Sequence, residues 1–284
     1  MSIHRHAPRL IFYGAILGAI AYGQPAARCL YNPFQETDLR GTCLRAGDML
    51  LLPKPYRATA LVSAARAYAA AGDAPSAMAT DARALLIDPS PQTKSNVVNA
   101  LNGMGNAEIA KGAYWPAILY FTKALNLEPG QRNALNQRGF AFQRTEQAAA
   151  ALADYGEMVK LFPADKAGYG NRAGIYLDLG RDADAVEDLS AFIKIDAKDP
   201  WIWTARAGAR LRLKFPTGAL ADAEQALLLE RGNRQAHETR VRALYDLTRY
   251  NDVLSALDQW ERDGGQKLSA IEQWRAFALT KSRR

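Results

Sequence analysis

The chain has 284 residues, 49% of them hydrophobic but only 9% aromatic, and its formal charge of +7 is the difference between 36 basic and 29 acidic side chains. Those charges alternate in sign along the whole length, and the densest basic cluster is the terminal Lys281, Arg283 and Arg284. A nucleic-acid binder concentrates its charge on one element or face, so no nucleic-acid partner is expected.

In chain order, His4, Arg5, His6 and Arg9 precede an uncharged apolar run over residues 10–22, and Ala21 and Gly23 follow as small residues. A basic start, a short apolar stretch and a small-residue exit predict a signal peptide over 1–23, cleaved after Gly23, and hence export to a periplasmic compartment. The run is shorter than the ~20 residues that cross a bilayer comfortably. An inner-membrane anchor formed by residues 10–22 is the alternative, and a buried helix the third reading. Residues 24–57 carry Pro25, Pro33, Pro53 and Pro55 with little periodicity, and predict a loop-rich leader. Cys29 and Cys43, the only cysteines, flank its loop "LYNPFQETDLRGT". In an oxidising compartment a disulfide closing this 15-residue loop would stabilise by ~3 kcal/mol; two unrelated thiols are the other possibility. With no histidine beside them, the two cysteines are too few to hold a metal.

From residue 58 the chain repeats with a period of 34. Residues 58–91 form a first copy, 92–97 are an extra segment, and 98–131, 132–165, 166–199, 200–233 and 234–267 follow in unbroken register. The clearest copy, "VNALNGMGNAEIAKGAYWPAILYFTKALNLEPGQ", has Leu101 at slot 4, Gly105 at slot 8, Gly112 at slot 15, Tyr114 at slot 17, Ala117 at slot 20, Phe121 at slot 24, Ala124 at slot 27 and Pro129 at slot 32. These residues resemble the signature of the tetratricopeptide repeat. The last copy is the weakest, with Val241 at slot 8 and Val253 at slot 20. The expected fold class is all-α: a right-handed superhelical solenoid of helix-turn-helix units, small residues at slots 8 and 20 marking where helices cross and proline ending the second helix. Residues 268–284 predict a capping helix with a basic tail, because Leu268, Ile271, Trp274 and Ala278 share one side at helical spacing.

The resemblance implies that first helices contact ligands through slots 2, 5, 6 and 9. Here those slots hold Asn99, Asn102, Asn106, Asn133, Asn136, Gln137, Phe140, Asn171 and Trp201. An amide both donates and accepts, so a row of them suits the backbone of an extended peptide or protein segment. The acid-binding clamp of chaperone-binding relatives needs lysine and arginine in these slots; Asn102, Asn106, Gln137, Ala167 and Asn171 match it only in their asparagines. The implied function is an adaptor or scaffold for another protein, with a membrane-tethered structural role or an accessory role to a separate enzyme as alternatives.

Slot 7 holds Arg138, Arg172, Arg206 and Arg240 in four successive copies, and slot 23 holds Asp154, Asp188 and Asp222 in the first three. Where slot 7 is Met104, slot 23 is Tyr120, so charge occurs with charge. This predicts an arginine–aspartate pair repeated along the stack, with Arg240, opposite Ala256, as the exception. No catalytic residues, cofactor or metal are expected: there is no phosphate loop or nucleophile motif. His237, at a slot where a packed aromatic is usual, predicts a structural ring.

Overall fold

A computed structural model describes residues 43–44, 52–263 and 269–282. The segment 1–23, most of the leader and Cys29 lie outside the described residues, and with them the cleavage site, the anchor and the Cys29–Cys43 pairing. The thirteen elements that can be delimited are all α-helices, and no strand occurs among the described residues. The chain divides into two compact units, residues 1–146 and 147–284.

The first unit contains α1 (Lys54–Ala70), α2 (Ala74–Ile87), α3 (Pro91–Ala110), α4 (Tyr114–Leu127) and α5 (Arg132–Arg144). Hairpins α1–α2 and α3–α4 stack so that α3 packs on α1 and on α5. Helix α1 starts inside the expected leader, because Pro53 serves as N-cap and Pro55 sits in the first turn, where no backbone N–H is required. Residues 92–97 do not loop out. They lengthen α3 to 20 residues, entered through Ser90, whose Oγ accepts from the Thr93 N–H at 3.3 Å. Cys43 and Leu52 are buried against Ala60 and Ala64 of α1.

The second unit contains α6 (Ala148–Leu161), α7 (Lys166–Asp178), α8 (Asp182–Ile195), α9 (Pro200–Arg212), α10 (Pro216–Leu229), α11 (Arg234–Asp246), α12 (Tyr250–Arg262) and α13 (Ser269–Ser282). Each helix packs on the next, and α9 also packs on α11. Helix α13 covers the last hairpin: Trp274 lies edge-on to Tyr245 with centroids 4.6 Å apart, and Ala278 is buried. Leu268 lies outside the described residues, and the side chain of Ile271 is likewise not described.

Each first helix ends in a residue with positive φ at slot 15. These are Gly72 (81°), Gly112 (75°) and Glu146 (61°) in the first unit, and Gly180 (69°), Lys214 (59°) and Thr248 (58°) in the second. The following N–H returns to a helix carbonyl: Asp73 to Tyr68 at 2.9 Å, Arg181 to Tyr176 at 2.8 Å and Phe215 to Arg210 at 2.8 Å. This left-handed cap satisfies carbonyls that the helix leaves open and reverses the chain within three residues.

Alanine at slot 20 is fully buried as Ala77, Ala117, Ala151, Ala185 and Ala219, where a larger side chain would separate the helices. At slot 8, a Cβ added to Gly105 would stand 2.6 Å from Phe121 Cζ, so the aromatic ring fills the space that glycine leaves.

Candidate functional site

In the first unit, Asn99 and Asn106 on α3 and Asn133 on α5 are exposed, and Asn136, Gln137 and Phe140 on α5 are half-buried. The side chains of Asn99, Asn106, Asn133 and Gln137 make no hydrogen bond to another described residue, so their donors and acceptors face solvent. Asn102 departs from the expected row. It is 7% exposed, its Oδ1 is buried without a hydrogen-bond partner, and α3 is flanked there by both α1 and α5. Slot 5 of this helix therefore belongs to the packed interior.

Phe140 meets an aromatic neighbour that the slot pattern did not single out as a contact. Tyr114, the first residue of α4, lies edge-on to it at 6.1 Å, and the Arg144 guanidinium sits 5.1 Å from the Tyr114 ring. Tyr114, Trp115, Pro116 and Arg144 line an open cavity of about 370 Å³, with Trp115 65% exposed. The left-handed turns place these residues together, which is why spacing along one helix did not reveal them. In the second unit, Asn171 is half-buried, and Trp201, 48% exposed, is the second residue of α9, its N–H donated to Asp199 Oδ1.

The slot 7 arginines serve the packing between helices. Arg172 donates from Nε and Nη2 to the two oxygens of Asp188 at 2.7 and 2.6 Å. Arg206 holds Asp222 in the same way at 2.8 and 2.7 Å, and its Nη1 donates to Ser190 Oγ at 2.9 Å. Arg210 adds a third donor to Asp222. Arg138, in the first unit, donates from Nη1 to Thr122 Oγ1 at 3.1 Å; Asp154, in the second, is buried. Thr122 and Ser190 are both slot 25 of the preceding copy; Arg206, bonded to Ser190 of α8 and Asp222 of α10, ties successive second helices. The sequence pattern had pointed only to slot 23.

Two buried groups complete the electrostatics. Asp81 occupies slot 24, where other copies place Phe121, Tyr155 and Leu189; both its oxygens lack hydrogen bonds, and burial pushes its pKa up to about 8. His237 is stacked on Trp260 with centroids 5.5 Å apart, its Nε2 lies 2.8 Å from the Arg231 carbonyl, and burial lowers its pKa, favouring the neutral ring. No group of three or more potential metal ligands occurs among the described residues.

No family model matches the chain. Among solved structures, MamA protein is similar with a TM-score of 0.57 at 13% identity, over 60% of this chain and 92% of that one. A MamA from Desulfovibrio magneticus RS-1 gives 0.53 at 14% identity, over 58% and 92%. YrrB, described as a TPR protein with an unusual peptide-binding site, gives 0.50 at 20% identity, over 64% and 91%. The hairpins thus have the tetratricopeptide-repeat fold. A curated relative, translocon at the outer membrane of chloroplasts 64 from Pisum sativum, is 32% identical over 111 residues, 38% of this chain; the match spans 19% of that relative's length.

Proposed function

We propose that the chain is a non-enzymatic interaction scaffold that holds an extended segment of another protein along α3 and α5. The observation carrying this reading is the set of exposed or half-buried amides Asn99, Asn106, Asn133 and Gln137, which make no bond within the described protein and lie on two helices that pack together. Amides spaced along adjacent helices can bond a peptide backbone, while the corner of Tyr114, Trp115 and Arg144 offers an apolar seat with a cation beside it. YrrB, similar in fold, is itself described as having a peptide-binding site, which supports this class of ligand.

The test is selection of displayed random peptides on the full chain, followed by affinity measurement on a variant with Asn99, Asn133 and Gln137 changed to alanine. We expect at least about a tenfold loss, equivalent to ~1.4 kcal/mol. Unchanged affinity would remove these helices from the binding surface.

Export belongs to the same proposal. Residues 1–23 direct the chain to an envelope compartment, as a cleaved signal or as an anchor over residues 10–22, and oxidation there joins Cys29 to Cys43. The mass of the mature chain, before and after reduction and alkylation, distinguishes cleavage after Gly23 from retention and a disulfide from two thiols.

A further inference from the structure

The last repeat breaks the arginine frame, and a cavity lies at the break. Arg172 and Arg206 each commit Nε and one Nη to the slot 23 aspartate. In residues 234–267 that slot is Ala256, fully buried, and Arg240 turns its Nη1 to Gln259 Oε1 at 2.8 Å. Its Nε is buried and has no hydrogen-bond partner. The nearest acid is Glu224, slot 25 of the preceding copy, 3.9 Å from Nε and therefore outside hydrogen-bond reach. A buried guanidinium N–H left without an acceptor is costly, so an anion that reaches it gains more than one meeting a solvated arginine.

Arg240 lines a cavity of about 650 Å³ bounded by α10, α11 and α12, whose walls also include Arg231, Arg262 and Leu228. The volume falls in the ~300–1,000 Å³ range of small-molecule sites. Among the described residues neither the Arg231 nor the Arg262 guanidinium has an ion-pair or hydrogen-bond partner. Three guanidinium groups thus share a space with two carboxylates, Glu224 and Asp263, leaving cationic excess.

We infer that this cavity binds a small dicarboxylate. One carboxylate pairs with the guanidinium of Arg240, which lines the cavity and has no slot 23 aspartate, and the second pairs with Arg231 or Arg262, with Leu228 against the aliphatic body. Planar two-point recognition of a carboxylate is what a guanidinium fork does best. The site uses none of the residues of the proposed peptide surface, so the two readings stand or fall separately.

The experiment is calorimetric titration of glutarate into the full chain at low salt. Saturable binding is expected, weakened at least about tenfold by Arg240→Gln. Glu224→Gln, which removes the competing acid, tightens it. Ala256→Asp supplies the absent frame partner and abolishes it; should that variant fail to fold, Arg240→Gln with an unchanged circular dichroism spectrum decides alone. No binding of glutarate by the parent chain, unchanged affinity in Arg240→Gln, or equal affinity for butyrate or inorganic phosphate each overturns the assignment.

Discussion

Arg206 and Asp222 lie face to face as a two-point pair, Nε to Oδ2 at 2.8 Å and Nη2 to Oδ1 at 2.7 Å, with side-chain exposures of 11% and 3%. Burial at this level separates the pair from ordinary surface bridges, which are worth ~0–1 kcal/mol. Removing one partner leaves a desolvated charge behind, at a cost of ~3–5 kcal/mol. Asp222→Ala, which strands Arg206 and also takes a partner from Arg210, is expected to destabilise by that amount. Asp188→Ala should cost less, since Arg172 is more exposed, at 22%. Urea unfolding midpoints check both; a loss below ~1 kcal/mol for Asp222→Ala would mean that the arginine finds solvent when the acid is gone.

Asp81 links stability to pH. Its folded pKa is raised from 3.8 to about 8, mainly by burial, so the folded chain keeps a proton that the unfolded chain releases above 3.8. The contribution is therefore full below the unfolded value and is lost as pH rises toward about 8, at a limiting slope of about 1.4 kcal/mol per pH unit. Asp81→Leu, which restores the residue class found at slot 24 elsewhere, should remove this loss and raise stability at pH 8. Denaturation of both chains at pH 5 and pH 8 gives the answer: the gap between them must widen with pH.

Thr248 is a β-branched residue held at φ 58°, where L side chains are strained. Thr248→Gly is expected to stabilise by about 1 kcal/mol and Gly180→Ala, at φ 69°, to destabilise by a similar amount. Thermal unfolding of the two variants should shift in opposite directions.

Gly105→Ala would place a Cβ 2.6 Å from the Phe121 ring and is expected to cost about 1–3 kcal/mol through overpacking. Phe121→Leu should relieve that clash. A double-mutant cycle therefore gives a favourable coupling between the two changes, whereas simple additivity would show that the ring is not what glycine accommodates.

The hairpins were legible because each depends on local residues: a small side chain where helices cross and proline where a helix stops; the left-handed turns at slot 15 were not, since Glu146, Lys214 and Thr248 adopt them as well as glycine. The arginine–aspartate frame was legible in part, since repetition made charge vary with charge at slots 7 and 23. Its other half, the hydroxyls of Thr122 and Ser190, escaped notice because it joins one repeat to the next and is not uniform: Gly156 and Glu224 stand at the same slot 25. The start of α1, inside the expected leader, was not read from the sequence for a related reason. Proline reads as a breaker, yet Pro55 occupies a first turn, where it favours a helix.

By itself the sequence determined the period, the helix pairing and the positions that must be small, because these follow from backbone chemistry and steric limits within one repeat. Only tertiary structure decided which amides remain available and what surrounds Arg240, the arginine that the sequence leaves without an aspartate. Asn99 is exposed and Asn102 buried although both lie on α3, and Arg206 is held by an aspartate while Arg240 borders a cavity. Exposure and pairing are properties of packed neighbours: the same residue type faces water or interior according to the helices laid against it.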